Sequence, residues 1–158
     1  MPLDQYCFDK RPLTLSPEAS AYEALRALDK NHVGAVMVQE DGRLIGIVTD
    51  RDLALRVGGA RRDPMQTPLR DVMTGTPQAL TIDASESQAA TLMRCWHIRR
   101  IPILKGDSIV GIVTLDDLLM SGGVSGVEAG NIIEAQLREP ASCKPAGELY
   151  PMRLPSRH

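Results

Sequence analysis

The sequence predicts a mixed α/β (α+β) fold built from two tandem β-α-β-β-α repeats. The segment GIVTDRDL at residues 46–53 recurs as GIVTLDDL at residues 111–118. At the same offset the alignment extends back to Pro12 and Pro77 without a gap, and 12 of its 42 residue pairs are identical. Unrelated segments of average composition would match at only about two or three positions. The chain therefore carries an internal duplication, and neither copy buries enough surface to fold alone.

Each copy shows the same order of elements. A short extended run leads into a helix with one apolar face, and two runs rich in β-branched residues follow before a second, short helix. Capping signals place the first helix start at Ser16-Pro17-Glu18 in one copy and at Asp83, with Glu86 three residues on, in the other. His32 and His97 fall at the ends of these helices, where histidine suits capping better than metal binding. The predicted strands are 13–15, 33–38 and 44–48 in the first copy, and 79–82, 98–104 and 109–113 in the second.

The repeats also set the domain boundaries. Residues 58–64, GGARRDP, have the composition of an exposed linker. Beyond the second copy, residues 124–137 are predicted to form one more amphipathic helix, and the proline-rich tail from Pro140 is predicted to be loose. We therefore assign 1–57 to the first repeat, 58–68 to a linker, 69–120 to the second repeat and 121–158 to a C-terminal helix and tail.

Composition excludes several classes of protein. A net charge of −2 and a pI near 5.9 give no basic footprint for nucleic acid. No apolar run approaches the roughly 18 residues of a membrane span, and the N-terminus does not resemble a signal peptide, so we expect a cytoplasmic location. The three cysteines lack CxxC spacing, and we expect reduced thiols rather than a disulfide framework or a zinc site. We find no nucleophile–base pair, metal-ligand cluster or P-loop, and therefore predict no enzymatic activity and no required cofactor.

Two T-x-x-D pairs carry the functional signal. Thr49 with Asp52, and Thr114 with Asp117, stand where a strand passes into a helix. Threonine at the N-cap with an acid three residues later is a capping box, which by itself satisfies free amide groups. The same carboxylate can also accept hydrogen bonds from ribose hydroxyls, as acids do in dinucleotide folds. Both interpretations remain open at this stage.

The repeated β-α-β-β-α unit, closed each time by G-I-V-T-x-x-D-L, with R-R-I-P before the β-hairpin of the second copy, resembles the CBS domain pair (Bateman module), in a stand-alone two-repeat form. The resemblance covers about residues 8–120. It implies one pseudo-two-fold module, commonly a homodimer, with two clefts between the repeats. Family members bind AMP, ADP, ATP, NAD or S-adenosylmethionine there and regulate a partner protein. The resemblance thus implies an adenine nucleotide, AMP first, as regulatory ligand.

The resemblance also implies the roles of particular residues. Asp52 and Asp117 would hold the ribose, with Thr49 and Thr114 beside them. Basic residues before the second strand would bind phosphate, for which arginine is well suited. The full candidate ligand-binding set is Thr49, Asp52, Thr114, Asp117, Arg99, Arg100, Ile98, Pro102 and Arg51, with no catalytic or metal-binding residue.

The first copy departs from this pattern, because Gly34 and Ala35 replace the arginines and Met37 replaces the proline. The two sites are therefore not equivalent. Arg51 can supply a positive charge in the first copy or be a plain exposed helix residue, and the arginines of the second copy can be solvated edge charges. The alternative function is a dimerisation scaffold that binds no ligand.

Overall fold

The computed structural model describes residues 1–7 and 12–137. These residues form two compact units, one holding 12–77 with 107–109 and the other holding 1–7, 78–106 and 110–137. Each unit contains most of one repeat, and we call them the first-repeat unit and the second-repeat unit. The tail from Pro140, predicted to be loose, lies outside the described residues.

The first-repeat unit contains a four-stranded sheet in the order β1-β2-β3-β4. Strand β1 runs parallel to β2, whereas β2–β3 and β3–β4 are antiparallel. Strand β2 lies two residues later than the predicted 33–38, β3 is one residue longer at each end than the predicted 44–48, and β4 was not predicted. The elements of the first-repeat unit are β1 (Thr14–Leu15), α1 (Ala21–Asn31), β2 (Ala35–Glu40), β3 (Arg43–Thr49), α2 (Asp50–Leu53), a π-helical turn (Ala54–Gly58), α3 (Leu69–Val72) and β4 (Thr74–Gly75).

The second-repeat unit contains a three-stranded sheet in the order β5-β6-β7, with β5 parallel to β6. The repeat order β-α-β-β-α is thus present in both units, and the predicted α+β class is confirmed. The C-terminal helix is also present. The elements are a 3₁₀ helix (Leu3–Tyr6), β5 (Leu80–Thr81), α4 (Glu86–Trp96), β6 (Arg100–Lys105), β7 (Ser108–Thr114), α5 (Leu115–Ser121) and α6 (Gly126–Gln136).

The starts of α1 and α4 were predicted wrongly. Helix α1 begins after Ser20, whose hydroxyl accepts from the N–H of Glu23 while the Glu23 carboxylate accepts from the Ser20 N–H. Ser85 forms the same box with Gln88 at the start of α4. The predicted starts at Ser16-Pro17-Glu18 and Asp83 instead lie in turns, in which Ala19 N–H donates to Ser16 O and Ala84 N–H to Thr81 O. A reciprocal box satisfies two amide groups, so the serine boxes define the helix ends.

Helices α1 and α4 both end where the sequence predicts. His32 and His97 occupy the C-cap positions in the left-handed region, with φ of 52° and 56°. The left-handed turn closes the helix and redirects the chain into the following strand. The repeat of this unusual backbone conformation explains why histidine stands at the same place in each copy.

Each unit has its own apolar core. Leucine, isoleucine, valine, methionine and alanine fill both cores, as expected for a chain with 3% aromatic residues. Leu53 and Leu118, the last residues of the repeated G-I-V-T-x-x-D-L motif, are 2% and 0% exposed. The motif therefore fixes its short helix to the core at one end and leaves its Thr and Asp at the edge.

A short segment from elsewhere in the chain docks on each repeat in the same way. Leu69 at the start of α3 donates its N–H to Ala19 O at 2.8 Å, and Leu3 donates to Ala84 O at 2.9 Å. These segments pass over the glycine of the repeated motif: a Cβ on Gly111 would lie 3.1 Å from Cys7 Sγ, and one on Gly46 would collide with the Met73 side chain. A side chain at this place would therefore require the docked segment to shift in both copies.

The cysteines differ from the expectation of reduced thiols. Cys95 is disulfide-bonded, whereas Cys7 is a half-buried free thiol whose pKa is raised by burial and by the charge of Asp4. Cys143 lies outside the described residues. Pairing depends on Cα atoms approaching within about 7 Å in space, which spacing along the sequence does not reveal.

Candidate functional site

The two T-x-x-D boxes lie at the ends of β3 and β7 and have nearly the same geometry. In the first box, Thr49 Oγ1 accepts from Asp52 N–H at 3.1 Å, and Asp52 Oδ2 accepts from Thr49 N–H and Oγ1–H, both at 2.9 Å. In the second box, the corresponding distances for Thr114 and Asp117 are 3.1, 3.0 and 2.7 Å. The predicted capping boxes are therefore both present.

This geometry limits what each group can offer a ligand. Each threonine proton is already donated to the carboxylate, so the hydroxyl has only remaining acceptor capacity. The two internal bonds to each carboxylate fall on Oδ2. All four residues are partly exposed. The boxes therefore combine a structural cap with a partly exposed carboxylate.

The arginine segment of the second repeat lies beside the second box. Arg99 O accepts from Leu115 N–H at 2.9 Å, and Leu115 follows Thr114 directly. Arg99 is exposed just before β6, Arg100 is half-buried at the strand start, and Ile101 and Pro102 are buried. Ile98 is partly buried against the core. The structure thus brings the backbone of the predicted Arg99 next to the second box.

The first repeat offers the same backbone with different side chains. Gly34 O accepts from Asp50 N–H at 3.2 Å, as Arg99 O does from Leu115. Ala35 and Met37 are buried in β2, so neither resembles a polar ligand group. Arg51 is exposed on α2, where its backbone N–H donates to Asp50 Oδ1 and its carbonyl oxygen accepts from Ala54 N–H. The basic segment next to the second box has no counterpart at these positions of the first.

The sequence profile of the CBS domain matches residues 6–59 and 69–122, which include both boxes and the arginine segment. The chain belongs to the CBS domain family. A CBS domain-containing protein of Bacillus subtilis, YhcV, is 40% identical over 108 residues, which are 68% of this chain and 76% of the relative. Among the described residues, no helix is long and apolar enough to cross a membrane.

Two solved CBS structures show the same fold. A conserved CBS domain protein from Thermoplasma acidophilum superimposes with a TM-score of 0.77 and 22% identity, over 87% of this chain and 76% of that one. A CBS domain protein from Pyrobaculum aerophilum, complexed with AMP, gives a TM-score of 0.68 and 24% identity over 75% of this chain and 90% of that one.

Two polar residues next to the boxes of this CBS protein escaped the sequence analysis. Arg56 forms an ion pair with Asp52, Nη2 to Oδ1 at 3.2 Å, and donates to Val72 O at 2.7 Å and Thr74 Oγ1 at 3.1 Å. Its i,i+4 spacing from Asp52 was a usable signal. The second residue, Gln136 on α6, donates to Ile98 O at 3.2 Å and accepts from Arg99 Nε. Nothing in the repeat pattern indicates this contact.

A buried carboxylate, that of Glu86, and the groups that donate to it lie near the second box. Glu86, 6% exposed, accepts from Tyr6 Oη at 2.5 Å, Gln5 Nε2 at 2.9 Å and Ser121 Oγ at 2.9 Å, and from the Met1 amine at 3.2 Å. Burial acts to raise the pKa of Glu86, but the bonds from Tyr6, Ser121 and the amine outweigh it and lower the pKa. Burial, and then the bond to Glu86, raise the pKa of Tyr6 to about 12. The cluster joins the N-terminal segment to α4 and α5.

The described residues hold no group of three or more His, Cys, Asp or Glu side chains suited to a metal ion. The candidate site is therefore composed of acceptor oxygens at the boxes and, in the second repeat, of guanidinium and amide donors. Such a set matches a sugar hydroxyl next to an anionic group.

Proposed function

We propose that this CBS protein is a non-catalytic regulatory module that binds an adenosine-containing nucleotide, AMP first among the candidates, with the stronger site at the second box. The observation that supports the proposal is the bond from Leu115 N–H to Arg99 O, because it brings the backbone of Arg99 next to the second box. The relative complexed with AMP supports the choice of ligand class. This role requires neither chemical conversion of the nucleotide nor a cofactor.

Each residue of the second site has a part in this proposal. Asp117 accepts from the ribose hydroxyls, and Thr114 holds its carboxylate in place. Arg99 and Arg100 bind the phosphate, since a guanidinium donates paired hydrogen bonds and keeps its charge. Ile98 and Pro102 supply apolar surface for the base.

The first box is proposed as the weaker site. Its Asp52 Oδ1 already pairs with Arg56 at 3.2 Å, so a ribose hydroxyl must share that oxygen or displace the arginine. The second repeat has Arg99 and Arg100 where the first has Gly34 and Ala35, so the predicted phosphate-binding arginines lie in the second repeat. Arg51 is the remaining basic residue of the motif at the first box, and Thr49 completes that site.

A ligand that binds one conformation of the protein better than another shifts the population toward that conformation. The surface that a partner protein binds changes with it.

We also propose that the protein is a homodimer. Leu55 and Met120 occupy the same position of the two repeats and are 58% and 90% exposed. Large apolar side chains so exposed at both copies of one position fit an interface between chains.

Calorimetric titration with AMP, ADP, ATP, NAD and S-adenosylmethionine tests the nucleotide proposal. We expect AMP to bind the wild type, and Asp117→Asn to weaken binding by about 10-fold or more, because a charged acceptor is lost. Asparagine retains an oxygen for the cap, and Asp116→Asn, on the exposed neighbour in α5, is the matched control. Asp52→Asn should leave the affinity of AMP for the second site unchanged.

The second candidate function is the dimerisation scaffold. Each T-x-x-D pair is a complete capping box in the absence of a ligand, so helix capping alone accounts for these residues. Folded wild-type protein that binds none of the five compounds would favour the scaffold and overturn the nucleotide proposal.

A further inference from the structure

Helix α6 lies outside the residues that match the CBS profile, which end at 122. It nevertheless packs on α4 and α5 of the second-repeat unit, through the buried Ala129 and Ile132. Its position is therefore fixed by apolar contacts in the second core. The end of the helix carries a polar side chain that these apolar contacts do not require.

That side chain is Gln136, and both ends of its amide are engaged. Nε2 donates to Ile98 O at 3.2 Å, and Oε1 accepts from Arg99 Nε. One side chain thus bonds two consecutive residues of the segment beside the second box. Because an amide has a donor end and an acceptor end, this double contact fixes its orientation as well as that of its partners.

The contact leaves the phosphate-binding edge of Arg99 available. A guanidinium has five N–H donors, and bonding through Nε uses one of them while fixing the plane of the group. The two terminal nitrogens remain, and they can donate in parallel to two phosphate oxygens. An exposed arginine normally loses much rotamer freedom when it binds an anion, and an arginine already held loses less.

We propose that Gln136 is a positioning residue: it holds Arg99 ready for an anion, so that the second site prefers phosphorylated adenosine ligands over adenosine itself. This inference rests on the proposed nucleotide-binding function. It concerns the second repeat alone, because Gly34 stands at the place of Arg99 in the first repeat. A helix added outside the family's repeat would thus tune the ligand preference of one of two otherwise similar sites.

Calorimetric titrations of AMP and adenosine into Gln136→Met test the proposal. Methionine has similar length and helix propensity but makes neither hydrogen bond. We expect AMP affinity to fall by about 5-fold and adenosine affinity to change by less than about 2-fold. A loss of this size is typical when two side chains in contact, here Gln136 and Arg99, are moderately coupled. Arg99→Ala should show the same selective loss, and the double variant should lose no more than Arg99→Ala. Asn131→Ala, at an exposed position of α6, is the matched control.

Each other result has a distinct meaning. Unchanged AMP affinity in Gln136→Met would overturn the positioning role, and tighter AMP binding would make Gln136 an obstructing group instead. Equal losses for AMP and adenosine would reduce α6 to general support of the site. Failure of the folded wild type to bind either compound would overturn the proposed function itself, and with it this inference.

Discussion

A single hydroxyl at the end of a strand makes two hydrogen bonds in each repeat. Thr114 Oγ1 accepts from Asp117 N–H and donates to Asp117 Oδ2, so the side chain both caps α5 and holds the carboxylate. Because the same atoms serve the helix and the proposed ligand, substitutions at these positions affect stability and binding together. The choice of variant must separate the two effects.

Thr114→Val keeps the shape of the side chain and removes both hydrogen bonds. We expect it to lower the free energy of unfolding by about 1 kcal/mol, as for the loss of an N-cap. Thr114→Ser keeps the hydroxyl and should stay close to the wild type. Urea denaturation of the three proteins measures the difference, and equal stability of the valine and serine variants would argue against a capping role.

The buried Glu86 makes stability depend on pH. Its pKa is lowered in the folded protein, so its contribution is complete above the ordinary carboxyl pKa. That contribution is lost as the pH falls through the lowered, folded value. Glu86→Gln should therefore weaken the acid dependence of the melting temperature, and melting curves from neutral to acidic pH measure this. An unchanged acid slope in the glutamine variant would assign the dependence to other carboxylates.

At the scale of elements, local signals predicted the strands and the motif helices but not every helix start. Ser16-Pro17-Glu18 has the composition of a helix start, yet the reciprocal box at Ser20 and Glu23 determines where α1 begins. Strand β4, only two residues long, has no periodicity that could reveal it. The contact of Gln136 with Ile98 and Arg99 joins residues far apart in sequence, so no local pattern encodes it.

Arg56 links two elements that the sequence did not connect. It bonds to Val72 O and Thr74 Oγ1 and pairs with Asp52, so it ties the end of the first-repeat motif to α3 and β4. We expect Arg56→Ala to lower the free energy of unfolding by about 1 kcal/mol, since the side chain is partly exposed. Arg51→Ala, on an exposed residue of α2, should have little effect. Urea denaturation compares the free energies of unfolding of the two variants. Similar losses of stability in both would mean that the contacts of Arg56 do not stabilise the fold.

At the scale of the whole molecule, duplication has kept the backbone and changed the side chains around it. The boxes, the histidine caps and the close approach at Gly46 and Gly111 repeat in both units. The groups next to the boxes do not repeat, since Arg56 stands beside one and Arg99 with Gln136 beside the other. The two halves of this protein are therefore matched in fold and differentiated in proposed ligand binding.

The proposed homodimer makes a prediction for the whole chain. Light scattering of the wild type should give about twice the 17.2 kDa chain mass. Met120→Asp and Leu55→Asp should each shift the protein toward the single-chain mass, because a charge buried without a partner in an interface is costly. Val127 is 78% exposed on α6, and Val127→Asp is the matched control, expected to leave the mass unchanged. A dimer that survives both substitutions would remove Leu55 and Met120 from the interface, and a monomeric wild type would exclude dimerisation as the basis of signalling.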